Sequence, residues 1–253
     1  MKPGSVSIQH VLGLMQQLAP PELACGWDNV GLLVDAGQPV TAITTTLDIT
    51  ADVVRDAAAS GCELIVSHHP VIFDPLKNIS AGDVPALLLK NGISAICMHT
   101  NLDAAPGGVN DTLAALLGMR APVPFAEGCG RVGTVDAISV QKLAAFCAET
   151  LHSGVKYVDA PQKITRLAEV SGAGGSYLEE ALALGATCLV TGEASHHVAV
   201  AAQEKGVGLV VAGHWGTEHP IARVLAEYLA ANLPDQIRVT PSLSDRDPYT
   251  YLV

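Results

Sequence analysis

What this sequence has least of is positive charge: 14 Lys and Arg stand against 25 Asp and Glu, a formal net charge of -11. Sequence-independent nucleic-acid binding depends on neutralising phosphates, so a nucleic-acid partner is set aside by charge. The same acidity suits cations, and a polyanionic substrate would need a local positive focus such as a bound metal. Long apolar runs are also lacking, since no stretch approaches the ~18 uncharged apolar residues that span a bilayer. The N-terminal MKPGSVSIQHVLGLMQQLAP interrupts its apolar positions with His and Gln, unlike a signal peptide. The expectation is a soluble, cytoplasmic protein with no membrane partner. The six cysteines (Cys25, Cys62, Cys97, Cys129, Cys147 and Cys188) include no C-x-x-C pair, which argues against a disulfide framework or a thiolate zinc site. They read as small core residues in a reducing compartment, where the sequons at Asn78 and Asn110 are chance matches.

What is present is an alternation. At 253 residues the chain suits one large α/β domain or two small ones, and it can bury roughly three quarters of its unfolded surface. Ile8, Val11, Leu12, Met15 and Leu18 recur at helical spacing behind Ser7, which predicts a surface helix with Ser7 as its N-cap. Apolar runs such as TAITTTL, CELIVS, ISAICM, TCLVTG and VGLVVAG then alternate with amphipathic helical runs. This pattern predicts an α/β fold of mostly parallel sheets with helices on their faces. Residues 120 to 165 begin rich in Pro and Gly, then supply a helix and a strand. They read as the connection between two similar lobes, about 1–120 and 166–253, of a single unit. DVVRDAAASGCELIVSHH and YLEEALALGATCLVTGE share an order of helix, Gly and short strand, with Gly61 matching Gly185 and Val66 matching Val190. Either a duplication or the general likeness of helix-strand units accounts for that echo.

The polar residues are spent at strand ends. CELIV runs into SHHP, ISAICM into HTNLDAAPGG, TCLV into TGEASHH, and VGLVVA into GHWGTEHP. In open α/β sheets ligands sit outside the carboxyl ends of the strands, where loops converge. Six of the nine histidines lie in these segments: His68, His69, His99, His196, His197 and His214. Asp103 and Glu218 accompany them, and imidazoles with carboxylates are a donor set for Zn, Mn, Fe or Ni. A carboxylate can also bridge two ions that acidify a water between them. Taken singly, each segment has a structural reading: SHHP as accidental neighbours, HTNLD as a capped loop, GHWGTE as a helix start with Thr217 as cap and Pro220 tolerated in the first turn. Their common placement at strand ends favours metal. The glycines of SGAGGSYLEE fit neither G-x-G-x-x-G nor a P-loop and read as a tight packing turn before a phosphate cradle. Ser67 and Ser195 lack a G-x-S-x-G elbow, which argues against a serine hydrolase.

WDNVGL (27–32), LDIT (47–50), SHHPVIF, HTNLDAAPGGVND (99–111), SGAGGS, TGEASHH and GHWGTE follow one another in the order and spacing of the NIF-three-like family, whose members are often described as type 2 homologues of GTP cyclohydrolase I. The resemblance covers nearly the whole chain, in the family's short form without an inserted middle domain. It implies an α/β subunit in a toroidal homo-hexamer, with two divalent metal ions per subunit. Carried over motif by motif, the metal ligands are His68, His69, Asp103, His214 and Glu218. His99, Glu193 and His197 match positions beside the ions or in contact with substrate, and are the candidates for catalytic roles. Trp215 stands where an aromatic residue or His is common, while the His219-Pro220 pair departs from the usual pattern. Adjacent side chains of an extended segment point to opposite sides, so His68 and His69 are expected to reach two ions or two sides of one cluster.

Two functions of different class follow. One is a metal-dependent hydrolase acting on a purine nucleotide or related small molecule, with GTP ring opening implied by the resemblance and phosphodiester hydrolysis as runner-up. The other is a metal-binding scaffold or regulatory interaction protein. Five protein ligands shared by two ions leave room for water, which favours chemistry.

Overall fold

The computed structural model describes residues 4–252. In chain order its elements are α1 (Ile8–Leu18), β1 (Gly31–Val34), β2 (Ala42–Thr46), α2 (Ala51–Ala59), β3 (Leu64–Ser67), α3 (Val84–Lys90), β4 (Ser94–Cys97) and α4 (Thr100–Ala104). They continue with α5 (Val109–Leu116), β5 (Arg120–Phe125), β6 (Gly130–Ile138), α6 (Val140–Leu151), β7 (Lys156–Val158), β8 (Ile164–Val170), α7 (Leu178–Ala183), β9 (Cys188–Thr191), α8 (His196–Lys205), β10 (Gly208–Val211) and α9 (His214–Glu218). The last two are α10 (Pro220–Asn232) and β11 (Arg238–Pro241). Two compact units result. One takes the chain up to Ala105 and again over Ile221–Arg246; the other takes Pro106–Pro220 and the chain from Asp247.

The first unit is built on a sheet of strand order β1-β4-β3-β2-β11. Strands β11, β2, β3 and β4 run parallel, and β1 joins the β4 edge antiparallel. AITTT, LIVS and SAIC are buried at every position, as strands covered on both faces must be, and this is why they read as unbroken apolar runs. On one face Val53, Val54 and Ala57 of α2 and Leu88 of α3 pack with Ile65 and Ala95. Helix α1 begins at Ser7, whose hydroxyl accepts from the His10 amide at 3.2 Å, and buries Val11 and Met15. Helix α10 is tied in by Thr45 Oγ1, which donates to the Ala222 carbonyl at 2.6 Å, and by Tyr228, whose hydroxyl donates to the Leu14 carbonyl at 3.0 Å.

The second unit carries a sheet of order β5-β6-β8-β9-β10-β7. Here β8, β9 and β10 are parallel, while the pairs β5/β6, β6/β8 and β7/β10 are antiparallel. The sheets are therefore mixed, and a mostly parallel arrangement describes the first far better than the second. Residues 121–165 supply most of β5, then β6, α6, β7 and the start of β8. A turn over Ala126–Gly128 joins β5 to β6, so the two strands pair antiparallel. Strand β5 holds Pro122 and Pro124, residues that read as loop but are tolerated at a sheet edge, where an amide need not donate. Leu113, Val140, Leu143, Cys147 and Ile164 pack one face, and Leu178, Ala181, Ala202 and Leu209 the other.

The echo between the halves has a local structural counterpart. Gly61 follows α2 and Gly185 follows α7, and both take left-handed backbone, at φ 67° and 82°, to turn the chain into β3 and β9. Burial of Asn110, whose Oδ1 accepts from the Ser171 amide at 2.9 Å, accounts for that sequon in structural terms. All six cysteines are free, and among the described residues no helix is long and apolar enough to cross a membrane.

Candidate metal centre

Parallel register decides where the polar residues of each sheet emerge. In the first unit Thr46 lies beside Ser67 and Ser67 beside Cys97, so the chain leaving β2, β3 and β4 presents Asp48, His68, His69 and His99 at one end of the sheet. The ladder continues one step past the strands: the His68, His69 and Met98 amides donate to Thr46, Leu47 and Ser67 carbonyls at 3.2, 2.9 and 2.9 Å. The two adjacent imidazoles are thus held by backbone already committed to the sheet. Their rings do not diverge as in an ideal strand. The centroids lie 5.0 Å apart with planes inclined at 37°, and that of His99 lies 5.2 and 5.6 Å from them. One ligand atom from each of His68, His69 and His99 falls within 4.8 Å of the others. Asp103 on α4 completes the group, its Oδ1 3.5 Å from His68 Nε2.

Every one of these imidazoles is anchored through Nδ1. His68 Nδ1 lies 2.9 Å from the Met98 carbonyl, His69 Nδ1 2.8 Å from Asp48 Oδ1, and His99 Nδ1 2.8 Å from Asp28 Oδ1. A carbonyl or carboxylate oxygen accepts, so the proton sits on Nδ1 and the Nε2 lone pair is left facing the group. This is the arrangement found behind metal-ligating histidines, where the acceptor fixes tautomer and ring orientation. Asp28 itself is pinned: Oδ2 accepts from the Thr100 amide at 2.9 Å and the Thr100 hydroxyl at 2.5 Å. Burial pushes its carboxyl up, but the hydrogen bonds from His99 and Thr100 outweigh this and hold it well below the usual carboxylate range. Cys97, at the end of β4, takes the opposite direction. Burial pushes its thiol well up, assisted by the charges of Asp28 and Asp103, so it stays protonated and donates to the His68 carbonyl at 2.9 Å. The donors are nitrogen and oxygen, which suits Zn, Mn, Fe or Ni without thiolate.

The second unit repeats the device. Thr191 lies beside Val170 and Val211, so the chain beyond β8, β9 and β10 carries Gly172, Glu193 and His214 at the same end of that sheet. His214 Nδ1 is 2.8 Å from Glu193 Oε1, and its Nε2 is 3.0 Å from Oε2 of the buried Glu218, one helical turn later on α9. Thr217 is not the helix cap. Its hydroxyl accepts from the Gly172 amide at 3.0 Å and lies within 3.0 Å of the Gly213 and His214 carbonyls, tying α9 to the glycine turn. The chain then breaks at His219, with its ring stacked 4.0 Å from Trp215, and resumes as α10 at Pro220. In SGAGGS the glycines serve close packing. A Cβ on Gly172 would overlap Glu218 Oε1, and one on Gly175 would come within 2.8 Å of Ala194 Cα.

Of the residues singled out in the sequence, His68, His69, His99 and Asp103 come together in the first unit, and His214 and Glu218 in the second, with Glu193 orienting His214. A ring nitrogen of His99 lies beside those of His68 and His69, and the ring is anchored in the same way. His197 and His196 are exposed on α8, and the His197 ring lies 3.0 Å from the Ser195 hydroxyl and belongs to none of the donor groups. Sequence reasoning gave no role to Asp28 or Asp48, although both lie inside motifs it singled out, WDNVGL and LDIT. For Asp48 the available signal is an Asp at the end of a strand, β2; Asp28 precedes β1 and carries no such signal.

Gly172→Ala is expected to push the Glu218 carboxylate aside while the sheet stays intact. Metal affinity measured by calorimetry should fall about 10–100-fold with little change in the circular dichroism spectrum. An unchanged affinity would mean that Glu218 does not need its observed position.

Residues 6–248 match the family described as Duf34/NIF3 (NGG1p interacting factor 3). A "GTP cyclohydrolase 1 type 2 homolog" of Clostridium perfringens is 30% identical over 98% of this chain and 100% of its own length. Another relative of that description, from Clostridium acetobutylicum, is 31% identical over 98% and 99%. Among solved structures, the Staphylococcus aureus hypothetical protein SA1388 superposes with a TM-score of 0.86 at 28% identity, over 99% of this chain and 100% of that one. With nearly the whole sequence and the α/β fold of two mixed sheets in agreement, the chain belongs to the Duf34/NIF3 family.

Proposed function

We propose that His68, His69 and Asp103 together with His214 and Glu218 ligate two divalent ions, of Zn, Mn, Fe or Ni, and that the protein is a metal-dependent hydrolase of a purine nucleotide or related small molecule. The observation that carries this reading is the shared anchoring of His68, His69, His99 and His214 through Nδ1, with Nε2 of His68 turned toward Asp103 and Nε2 of His214 toward Glu218. Imidazoles with only structural work do not need a common tautomer. Bound divalent ions would supply a water acidified toward neutral pH and polarise the bond under attack.

The chain's own residues would do the rest. His69 and His214 are oriented by Asp48 and Glu193, whose carboxylates fix the direction of each ring. Glu218, buried on α9, and Asp103, on α4, supply the negative charge that offsets a divalent ion. His99, with Asp28 behind it, is suited to accept or return a proton at Nε2, and the exposed His197 is the second candidate for that role. The description of the relatives as homologues of GTP cyclohydrolase 1 type 2 supports GTP ring opening as the first reaction to assay. Few basic residues are available to grip a triphosphate, which keeps phosphodiester hydrolysis as the runner-up.

Metal-loaded protein is expected to release formate from GTP, and Glu218→Ala to reduce that rate by at least about 100-fold. Equal trace activity in wild type and variant, on GTP and on phosphodiesters alike, would replace the enzyme reading with that of a metal-binding scaffold. A homo-hexameric ring is proposed on the same family resemblance. Light scattering should give six times the 26.1 kDa chain mass, and a stable monomer at micromolar concentration would remove it.

A further inference from the structure

Aromatic side chains are scarce in this protein, with two Trp, three Phe and five Tyr, yet Trp27 and Phe73 both stand in solvent beside the histidines. Trp27 is 63% exposed and Phe73 49%. Their ring centroids lie 5.8 Å apart, and each ring meets His99 edge to face, Trp27 at 6.2 Å and 72°, Phe73 at 6.3 Å and 78°. Large aromatic faces are normally withdrawn from water, and leaving a pair of them exposed forgoes apolar burial that the core would readily supply.

The pair is also held in place. Trp27 directly precedes Asp28, which is pinned by His99 and Thr100. The next residue, Asn29, donates its amide to Asp28 Oδ1 at 2.7 Å and its side-chain NH2 to the Ile72 carbonyl at 2.6 Å, tying the Trp27 loop to the residue before Phe73. A surface patch with no ligand would not need two loops cross-linked to each other and to a site histidine; a preorganised receptor would. Charge narrows the ligand. Residues 20–50, 56–76 and 91–119, which carry these rings and the first unit's metal-donor residues, contain no Lys or Arg. Affinity from this wall must therefore come from a π-face in preference to a phosphate, and stacking on an aromatic side chain asks only that the ligand be flat.

We propose that Trp27 and Phe73 form the stacking wall that receives a planar nitrogen heterocycle and brings its edge to His99. This rests on the hydrolase reading for its consequence, since it names the part of the substrate that the site grips, but stacking itself requires no metal. The experiment is therefore run on metal-stripped protein, with guanosine as the planar probe and ribose 5-phosphate as the non-planar control, by calorimetry. Wild type should bind guanosine and not the control. Trp27→Ala and Phe73→Ala should each weaken guanosine binding by about tenfold, and Trp27→Phe should recover most of the loss. Both rings are exposed, so folding should survive, which circular dichroism checks. No guanosine binding by folded wild type, or equal binding by wild type and both alanine variants, would overturn the proposal. So would variants that alter only the mass in light scattering, which would make the wall a contact between copies of the chain. Failure here leaves the Glu218→Ala comparison standing, and failure of that comparison leaves the stacking result standing.

Discussion

A hydrogen bond from an imidazole Nδ1 to a fixed oxygen organises the candidate donor group of each unit. A histidine has two nitrogens and, when neutral, one proton, so an acceptor behind one nitrogen decides what the other offers. Here the acceptors are the Met98 carbonyl, Asp48, Asp28 and Glu193, serving His68, His69, His99 and His214. Without them the rings would be free to choose tautomer and rotamer, and side chains that now converge as donors would be ordinary polar residues at the ends of strands. Local structure supports these acceptors: Thr100 contacts pin Asp28, and the Glu193 amide donates to the Gly172 carbonyl at 2.8 Å.

The sheets provide the fixed frame. Strands in parallel register end together, so three consecutive strand ends deliver their next residues to one place without long loops. The first residues beyond the strands continue the backbone ladder, which restricts His68, His69 and Glu193 to small movements. The conformational cost of assembling several long polar side chains is thereby met mainly by backbone that folding has already ordered.

Most of this was legible in the sequence because burial on both faces writes parallel strands as unbroken apolar runs, and LIVS-HH and SAIC-M-H announce where they stop. Ser7 as a cap and the glycine turn before α7 were legible for the same reason, since each depends on residues adjacent in the chain. The antiparallel edge of the second sheet was not. Strand β5 is exposed over its first five positions and carries two prolines, so it lacks the pattern by which strands are recognised. Asp28 and Asp48 are not legible as partners because they act on histidines 71 and 21 residues away, a distance that no local periodicity reports. The position of His99 is similar: its partner Asp28 is remote in the chain, and its ring lies beside those of His68 and His69.

The central claim is that these imidazoles and carboxylates are a nitrogen and oxygen ligand set for divalent metal. X-ray absorption on protein purified without chelator tests it directly, together with elemental analysis of the same sample. The account predicts about two divalent ions per chain, a first shell of light donors at about 2.0–2.2 Å and the outer-shell scattering of imidazole. Protein that retains no metal after reloading, or a sulfur shell near about 2.3 Å pointing to the cysteines, would contradict it.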